Sequence, residues 1–390
     1  MLTQYIIIKS HILYGFFVQT FNCLAYTYFM KFSKIFNKKK LRYLFKIYIS
    51  VLIVLYMVFA PISIFPQLIA NQNKVNENLN LDYVGVLELW NIDTFEGGSV
   101  SRTRWLEKRA IEFENKHKGT YIVVNNMTPE QARMNVQSGK KPDMISFGIG
   151  VGEEIFPLLN EYTGKINVRE DLLNGGKINS KIYAMPYILG GYILASENEL
   201  GNNLENVGFG NLSSNNFSVA LCLSGLKVNT VNDKSFLLDS FMAYEKFLTK
   251  NFDVLCGTQR DAYRLNNKVE NGSLNNVNFK YLSGFTDLIQ YIGISTTSIK
   301  EKEICTKFIE YVTNEEVQNT ISNISMFSVL NKKIYSSSYL NDMENELMKE
   351  IKTINVFLSG NKLQEIKDVS INYLTKNEAD NLKKLKQYLI

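Results

Sequence analysis

Cysteine and histidine are nearly missing from this chain, which holds four cysteines and two histidines in 390 residues. Cys222, Cys256 and Cys305 lie beyond the N-terminal region. They are odd in number and too few for a disulfide scaffold, so folding must rest on apolar cores. A single Cys222–Cys256 bridge stays open, with buried free thiols as the default reading. After residue 11 the one histidine is His117, between Lys116 and Lys118, which leaves little from which to build a Ser-His-Asp triad or a histidine zinc site. His117 reads as a solvated helix terminus. Acids are absent from residues 1–73, which carry Lys9, Lys31, Lys34, Lys38, Lys39, Lys40, Arg42 and Lys46 and leave 35 basic against 38 acidic residues in the remainder. The formal charge of +5 therefore belongs to the N-terminal region, and no basic stripe marks a nucleic-acid surface.

Charge of either sign is missing from Ile47 to Asn73. The apolar part, Ile47 to Phe65, would rise about 28 Å as a helix, close to a bilayer core. Residues 47–70 are therefore expected to be a single-pass anchor. Seven basic residues from Lys31 to Lys46 precede it, which places residues 1–46 in the cytoplasm and the main domain outside the cell membrane. The stretch after the span offers no clean small-x-small cleavage site, and no cysteine ends it, so an uncleaved helix is expected rather than a signal peptide or lipid anchor. Residues 10–30 form another uncharged stretch, either a first span or a leader upstream of a start at Met30, and both leave the same topology. Residues 71–82, polar and Asn-rich, read as a tether.

Beyond the tether the pattern alternates. "YVGVLELW" (83–90) reads as a buried strand, residues 101–117 as a helix stopped by Gly119, and "TYIVVN" (120–125) as a second strand. Thr128-Pro129-Glu130-Gln131 opens a short helix to about Ser138, and "DMISFG" (143–148) is a third strand. Strands and helices joined this tightly predict a parallel sheet with right-handed crossovers, whose ligand sits beyond the carboxyl ends of the strands. Farther on, "FSVALCL" (217–223) reads as a strand, residues 233–251 as an amphipathic helix and "FDVLCGT" (252–258) as a strand, a second βαβ unit. Residues 181–195 and 278–295 are apolar and extended, and are expected to cross between the two units as a hinge. Two helices are expected over 299–329, followed by a helical tail. No internal repeat is present.

"FEGGSVSRTRWLEKRAIEFENKHKG", "GKKPDMISFG", "YAMPYILGGYIL", "GTQRDAYRLNNK", "FTDLIQYIGI" and "CTKFIEYVTNEEVQNTISNISMFSV" occur in this order across residues 84–329. Together they resemble the extracellular solute-binding proteins of ABC importers, in particular the carbohydrate type. The resemblance implies an α/β, two-lobed periplasmic-binding-protein-like clamp, here with an N-terminal transmembrane helix. It closes by a hinge on a small solute, a sugar or oligosaccharide, and delivers it to ABC permease subunits. Lobe 1 is expected over 83–187 and 281–315 and lobe 2 over 188–280, with C-terminal helices over 316–390 completing both. The sequence departs from the family in lacking the lipid-anchor cysteine and in having a short second lobe.

A sugar offers apolar CH faces and rings of hydroxyls, so its receptor needs flat aromatic rings beside carboxylates, amides or arginine. Trp90, Asp93, Phe95 and Glu96 supply both kinds in one loop after the first strand. The plainer reading is that Trp90 completes the core and the acids neutralise Arg102 and Arg104 at the helix start. Ser146, Phe147 and Gly148 end the third strand. Gln259, Arg260 and Asp261 follow the strand ending at Thr258, and Tyr187, Phe285 and Asp287 lie in the crossings. These thirteen residues are the expected ligand contacts. Gly97-Gly98 before a helix suits an anion, but Glu96 beside it opposes one. Gly148, Gly150 and Gly152 miss the dinucleotide spacing, and Glu153-Glu154 would repel phosphate, so no cofactor is expected and no metal. An enzyme is not expected either. A glycosidase needs two carboxylates, and Asp93 with Glu96 or Glu153 would supply them, but nothing separates their acidities. A sensing module built on the same clamp is the alternative to transport.

Overall fold

The structure, a computed structural model, describes residues 49–50, 83–336, 338–376 and 379–390. The expected first span, the Met30 start, the tether and all but two residues of the expected anchor lie outside these. Among the described residues no helix is long and apolar enough to cross a membrane. The chain forms two units, 1–80 and 81–390, and the description that follows is of the second.

Exposed Val86 beside buried Leu87 makes the first half of β1 (Gly85–Ile92) one-sided, and from Leu89 to Ile92 both faces are buried. Ser101 caps α1 (Arg102–Lys116) by accepting from the Arg104 N–H, and Trp105, Leu106, Ala110 and Phe113 form its buried stripe. Gly119, at φ +91°, turns the chain into β2 (Thr120–Met127). Thr128 and Gln131 cap α2 (Pro129–Gln137) reciprocally, with proline in the first turn, and β3 (Met144–Phe147) follows. β1 pairs in parallel with β2 and with β3, as expected.

β4 (Met185–Leu189) and β5 (Tyr192–Ser196) are separated only by Gly190-Gly191 yet belong to different sheets. The second lobe contains β6 (Val207–Gly208), α3 (Phe217–Leu223), α4 (Ser240–Leu248), β7 (Val254–Thr258), α5 (Gln259–Glu270) and β8 (Asn278–Tyr281). The chain then returns through residues 282–288 to β9 (Ile289–Ile294) in the first sheet. The first sheet has the order β2-β1-β3-β9-β4 and the second β8-β5-β7-β6. α6 (Ile299–Val312) and α7 (Glu315–Asn319) pack behind the first sheet, and α8 (Tyr339–Leu347), α9 (Gly360–Lys376) and α10 (Ala379–Lys386) form the tail.

Two expected elements change. Residues 217–223 are helix α3 rather than a strand, so the second unit is not the βαβ read from sequence; β7 instead pairs antiparallel with β5 and in parallel with β6. A run that is apolar on every side has no period to distinguish strand from helix. α3 is buried all round because α9 covers it, with the Ser218 and Ser370 hydroxyls 2.5 Å apart. The helix expected over 233–251 breaks into a 3-10 turn, Asp233–Leu237, and α4, because Asp239 accepts from the Met242 N–H and caps a new start. Cys222, Cys256 and Cys305 are free, buried thiols.

The tail touches both lobes. Met343 and Leu347 of α8 lie against Gly191 at the first crossing. On the first lobe, the Val356 N–H donates to the Gly175 carbonyl at 2.9 Å and Asn355 Nδ2 to the Lys177 carbonyl at 2.7 Å. α9 then packs on α3 of the second lobe. At Gly152 the tail's backbone approaches so closely that an added Cβ would run into the Val356 carbonyl. Gly152→Ala should therefore cost about 1–3 kcal/mol, as small-to-large changes in packed sites do. Urea melts of the two proteins test this, and coincident curves would mean that the tail yields freely there.

Candidate functional site

The loop after β1 and the start of α5 face each other across the lobes. They form a pocket of about 380 Å³ lined by residues 93 and 95–102 of the first lobe and Arg260 of the second. Its framework is Arg102, the first residue of α1. A cation there opposes the helix dipole and requires compensation. The Arg102 guanidinium, only 4% exposed, donates to Asp93 Oδ1 at 3.1 Å, to Gln290 Oε1 at 2.9 Å and to the Phe95 carbonyl. It also sits 3.9 Å from the centre of the Phe95 ring. Arg102 thus ties the loop to β9 and turns Phe95, Glu96 and the Gly97-Gly98 backbone toward the second lobe.

The second lobe meets that loop through α5. Thr258 and Asp261 cap the helix reciprocally, so Gln259 and Arg260, which follow the strand directly, are its first residues. Gln259, fully buried, donates through Nε2 to the Glu96 and Gly97 carbonyls at 3.3 Å each. Its Oε1 accepts from the Gly191 N–H at 3.0 Å, so one side chain joins the loop, the second lobe and the crossing. Arg260 and Glu96 face each other at 3.9 Å. Both are partly exposed, so the pair adds little stability of its own. Ser214 Oγ donates to the Thr94 carbonyl and closes the seam on the other side of the loop.

Asp261 lies beneath Arg260. Burial, reinforced by the Glu96 carboxylate, pushes its carboxyl up to about 6. The folded chain then keeps this proton up to about pH 6, whereas an unfolded aspartate loses it near 3.8. Ionisation accordingly favours unfolding in that interval, so stability should fall as pH rises from about 4 to about 6 and then level off. Asp261→Asn should shrink the difference in urea midpoint between pH 4 and pH 7. An unchanged difference would assign the titration elsewhere.

Of the expected contacts, Asp93, Phe95, Glu96 and Arg260 line the pocket, Gln259 adjoins it and Asp261 supports it. The others lie elsewhere. Trp90, 2% exposed, is in the core with its indole N–H on Glu88 Oε1 at 3.0 Å. Ser146 Oγ is 2.7 Å from the Tyr187 hydroxyl in a buried network with Asn91 and Gln290. Phe147 packs against Phe357, and Gly148 is the space that Thr94 occupies. Phe285 stacks on Tyr192, whose hydroxyl donates to Asp287 at 2.5 Å. Asn216 Nδ2 donates to the other Asp287 oxygen at 2.5 Å. Asp287 is therefore a buried link between crossing and second lobe. Sequence reasoning missed Arg102 as the framework residue, although a cation at a helix start was a visible signal. The plainer reading, that Asp93 neutralises it, is the contact found. Among the described residues no cluster of three or more His, Cys, Asp or Glu side chains is placed to hold a metal ion.

No family model matches the chain, and no curated protein matches it. Solved structures do. Maltose-bound MalE3 of T. maritima superposes with a TM-score of 0.55 at 11% identity, covering 78% of this chain and 98% of that one. The GacH receptor of Streptomyces glaucescens, solved unliganded and with acarbose, gives 0.53 at 10% identity over 78% and 100% of the two chains. The maltose-maltodextrin binding protein of Alicyclobacillus acidocaldarius gives 0.51 at 10% identity over 78% and 99%. At such identities the likeness is one of architecture, and the chain has the mixed α/β fold of these two-lobed sugar-binding proteins.

Proposed function

We propose that this protein is a solute receptor that captures a carbohydrate between its lobes. The observation that carries the reading is the pocket where the β1 loop and the start of α5 converge, with Asp93, Glu96 and Arg260 on its wall and Phe95 as its aromatic face. Carboxylates and guanidinium groups form hydrogen bonds to hydroxyl groups from both sides, and with Arg102 beside Arg260 the two cations balance the two acids, which favours a neutral polyol over an ion. A volume of about 380 Å³ is at the lower end for ligand sites, roughly 300–1,000 Å³, and suits a short sugar. The maltose- and acarbose-binding neighbours support the same class of solute. Gly190-Gly191 and residues 282–288 are the connectors about which the lobes open, and the closed form is the one a membrane permease would receive. An N-terminal membrane anchor, which the uncharged run from Ile47 recommends, would keep the receptor beside that permease at the cell surface.

Thermal-shift titration against a broad sugar panel tests the proposal. Glu96→Gln and Arg260→Ala should each weaken binding by about tenfold, the cost of one charge-assisted hydrogen bond, with little change in melting temperature. A panel without a single shift, or variants that bind as the parent does, would remove the pocket from consideration.

A further inference from the structure

On the far side of the Thr94–Ser214 contact lies a second cavity, about 470 Å³, which no expected contact residue lines. Its walls are Ile149 and Gly150 after β3, residues 211–214 and Asn216 before α3, and Gly360, Leu363, Gln364 and Lys367 of α9. Both lobes and the C-terminal tail therefore meet there. Ile149, Leu212 and Leu363 offer apolar surface; the rest of the wall is amide, hydroxyl and backbone.

Lys367 is the only charged side chain in this wall. Its ammonium donates to the Asn211 carbonyl at 2.6 Å and the Ser213 carbonyl at 2.8 Å, which uses two of three donors. Among the described residues it forms no ion pair. The nearby carboxylates are engaged: Asp287 holds Tyr192 and Asn216, and Asp368 accepts from Gln364. A largely buried cation without an ion partner is costly, and burial lowers the ammonium's affinity for its proton despite Asp287 and Asp368. Asn211, Ser213 and Gln364 add amide and hydroxyl groups to the same wall.

We propose that this cavity is a second subsite of the cleft, and that it takes a sugar ring bearing an acidic group, whose carboxylate faces Lys367 and whose hydroxyls face the amide and hydroxyl side chains of the wall. The inference rests on the carbohydrate reading above and narrows it: the solute is an acidic saccharide whose uronate enters this cavity. C-terminal helix α9 is then part of the receptor site.

Calorimetric titration of the protein with galacto- and xylo-oligosaccharides, and with oligogalacturonates and glucuronate-bearing xylo-oligosaccharides of equal length, tests this. The parent should bind an acidic series about tenfold or more tighter than its neutral counterpart, an advantage that fades with added salt. Lys367→Met should abolish the advantage and leave neutral sugars within about twofold, and Lys367→Arg should retain part of it. Equal affinity of the parent for acidic and neutral sugars overturns the inference while the receptor reading stands. Equal loss of both sugars in Lys367→Met, with Gln364→Ala silent, also overturns it, because Lys367 then only props the 211–213 loop. Should Lys367→Met fail to fold, the parent's preference and its salt dependence decide. A parent that binds no sugar of either kind removes both the inference and the receptor reading.

Discussion

Trp90→Ala should destabilise the protein by about 3–5 kcal/mol, the usual cost of deleting a buried aromatic side chain, and should leave solute affinity of the folded fraction unchanged. The ring is 2% exposed and belongs to the main core with Ile92, Ile145 and Phe147, so its removal leaves a cavity that the sheet cannot close. Its indole N–H shares Glu88 Oε1 with Asn125 Nδ2, which donates to the same oxygen at 2.6 Å. Trp90→Phe keeps most of the volume and should recover more than half of the loss. Chemical denaturation alongside sugar titration separates the two roles. A variant that melts like the parent but no longer binds would return Trp90 to the ligand.

Arg102→Met should cost about 3 kcal/mol and weaken sugar binding as well, because this side chain ties the β1 loop to the first sheet through three contacts. Its loss leaves Gln290 Oε1 and the Phe95 carbonyl without their donor and frees Asp93 from its ion pair. A charged hydrogen bond to a buried partner is worth about 1.5–3 kcal/mol, and the unpaired acceptors add to that. Asp93 is 40% exposed and remains solvated, which keeps the total below that of a fully buried broken pair. Arg102→Lys should recover little, since an ammonium cannot reach three acceptors with the planar fork. Circular-dichroism melts give the first effect and sugar titration the second. Normal binding in a destabilised Arg102→Met would show that the loop keeps its course without the arginine.

The comparison of Trp90 with Arg102 shows how far sequence carries. Both flank the Asp93–Glu96 loop; in the sequence one reads either as a stacking surface or as core, and the other as a neutralised charge. Composition and period determine that residue 90 is apolar and lies in a strand. They do not say whether the ring turns toward the cleft or the core, because alternate residues point to opposite faces and both faces here are covered. Arg102 was conspicuous only as a cation at a helix start.

The β1–α1–β2–α2–β3 half was legible because its signals are local. Ser101, Gly119 and the Thr128-Pro129-Gln131 cap each act within a few residues of themselves. The strand ends that carry Asp93, Phe95 and Glu96 follow from those signals, and the crossings at Gly190-Gly191 and 282–288 fall within the apolar segments 181–195 and 278–295. The folding of 217–223 into helix α3, the inward turn of Trp90, and the meeting of Lys367 with Asn211 and Ser213 across 150 residues of chain were decided by tertiary packing alone. Caps and turns act through bonds their own neighbours make. The face a side chain presents, and the partner it finds, depend on which distant surface arrives to cover it.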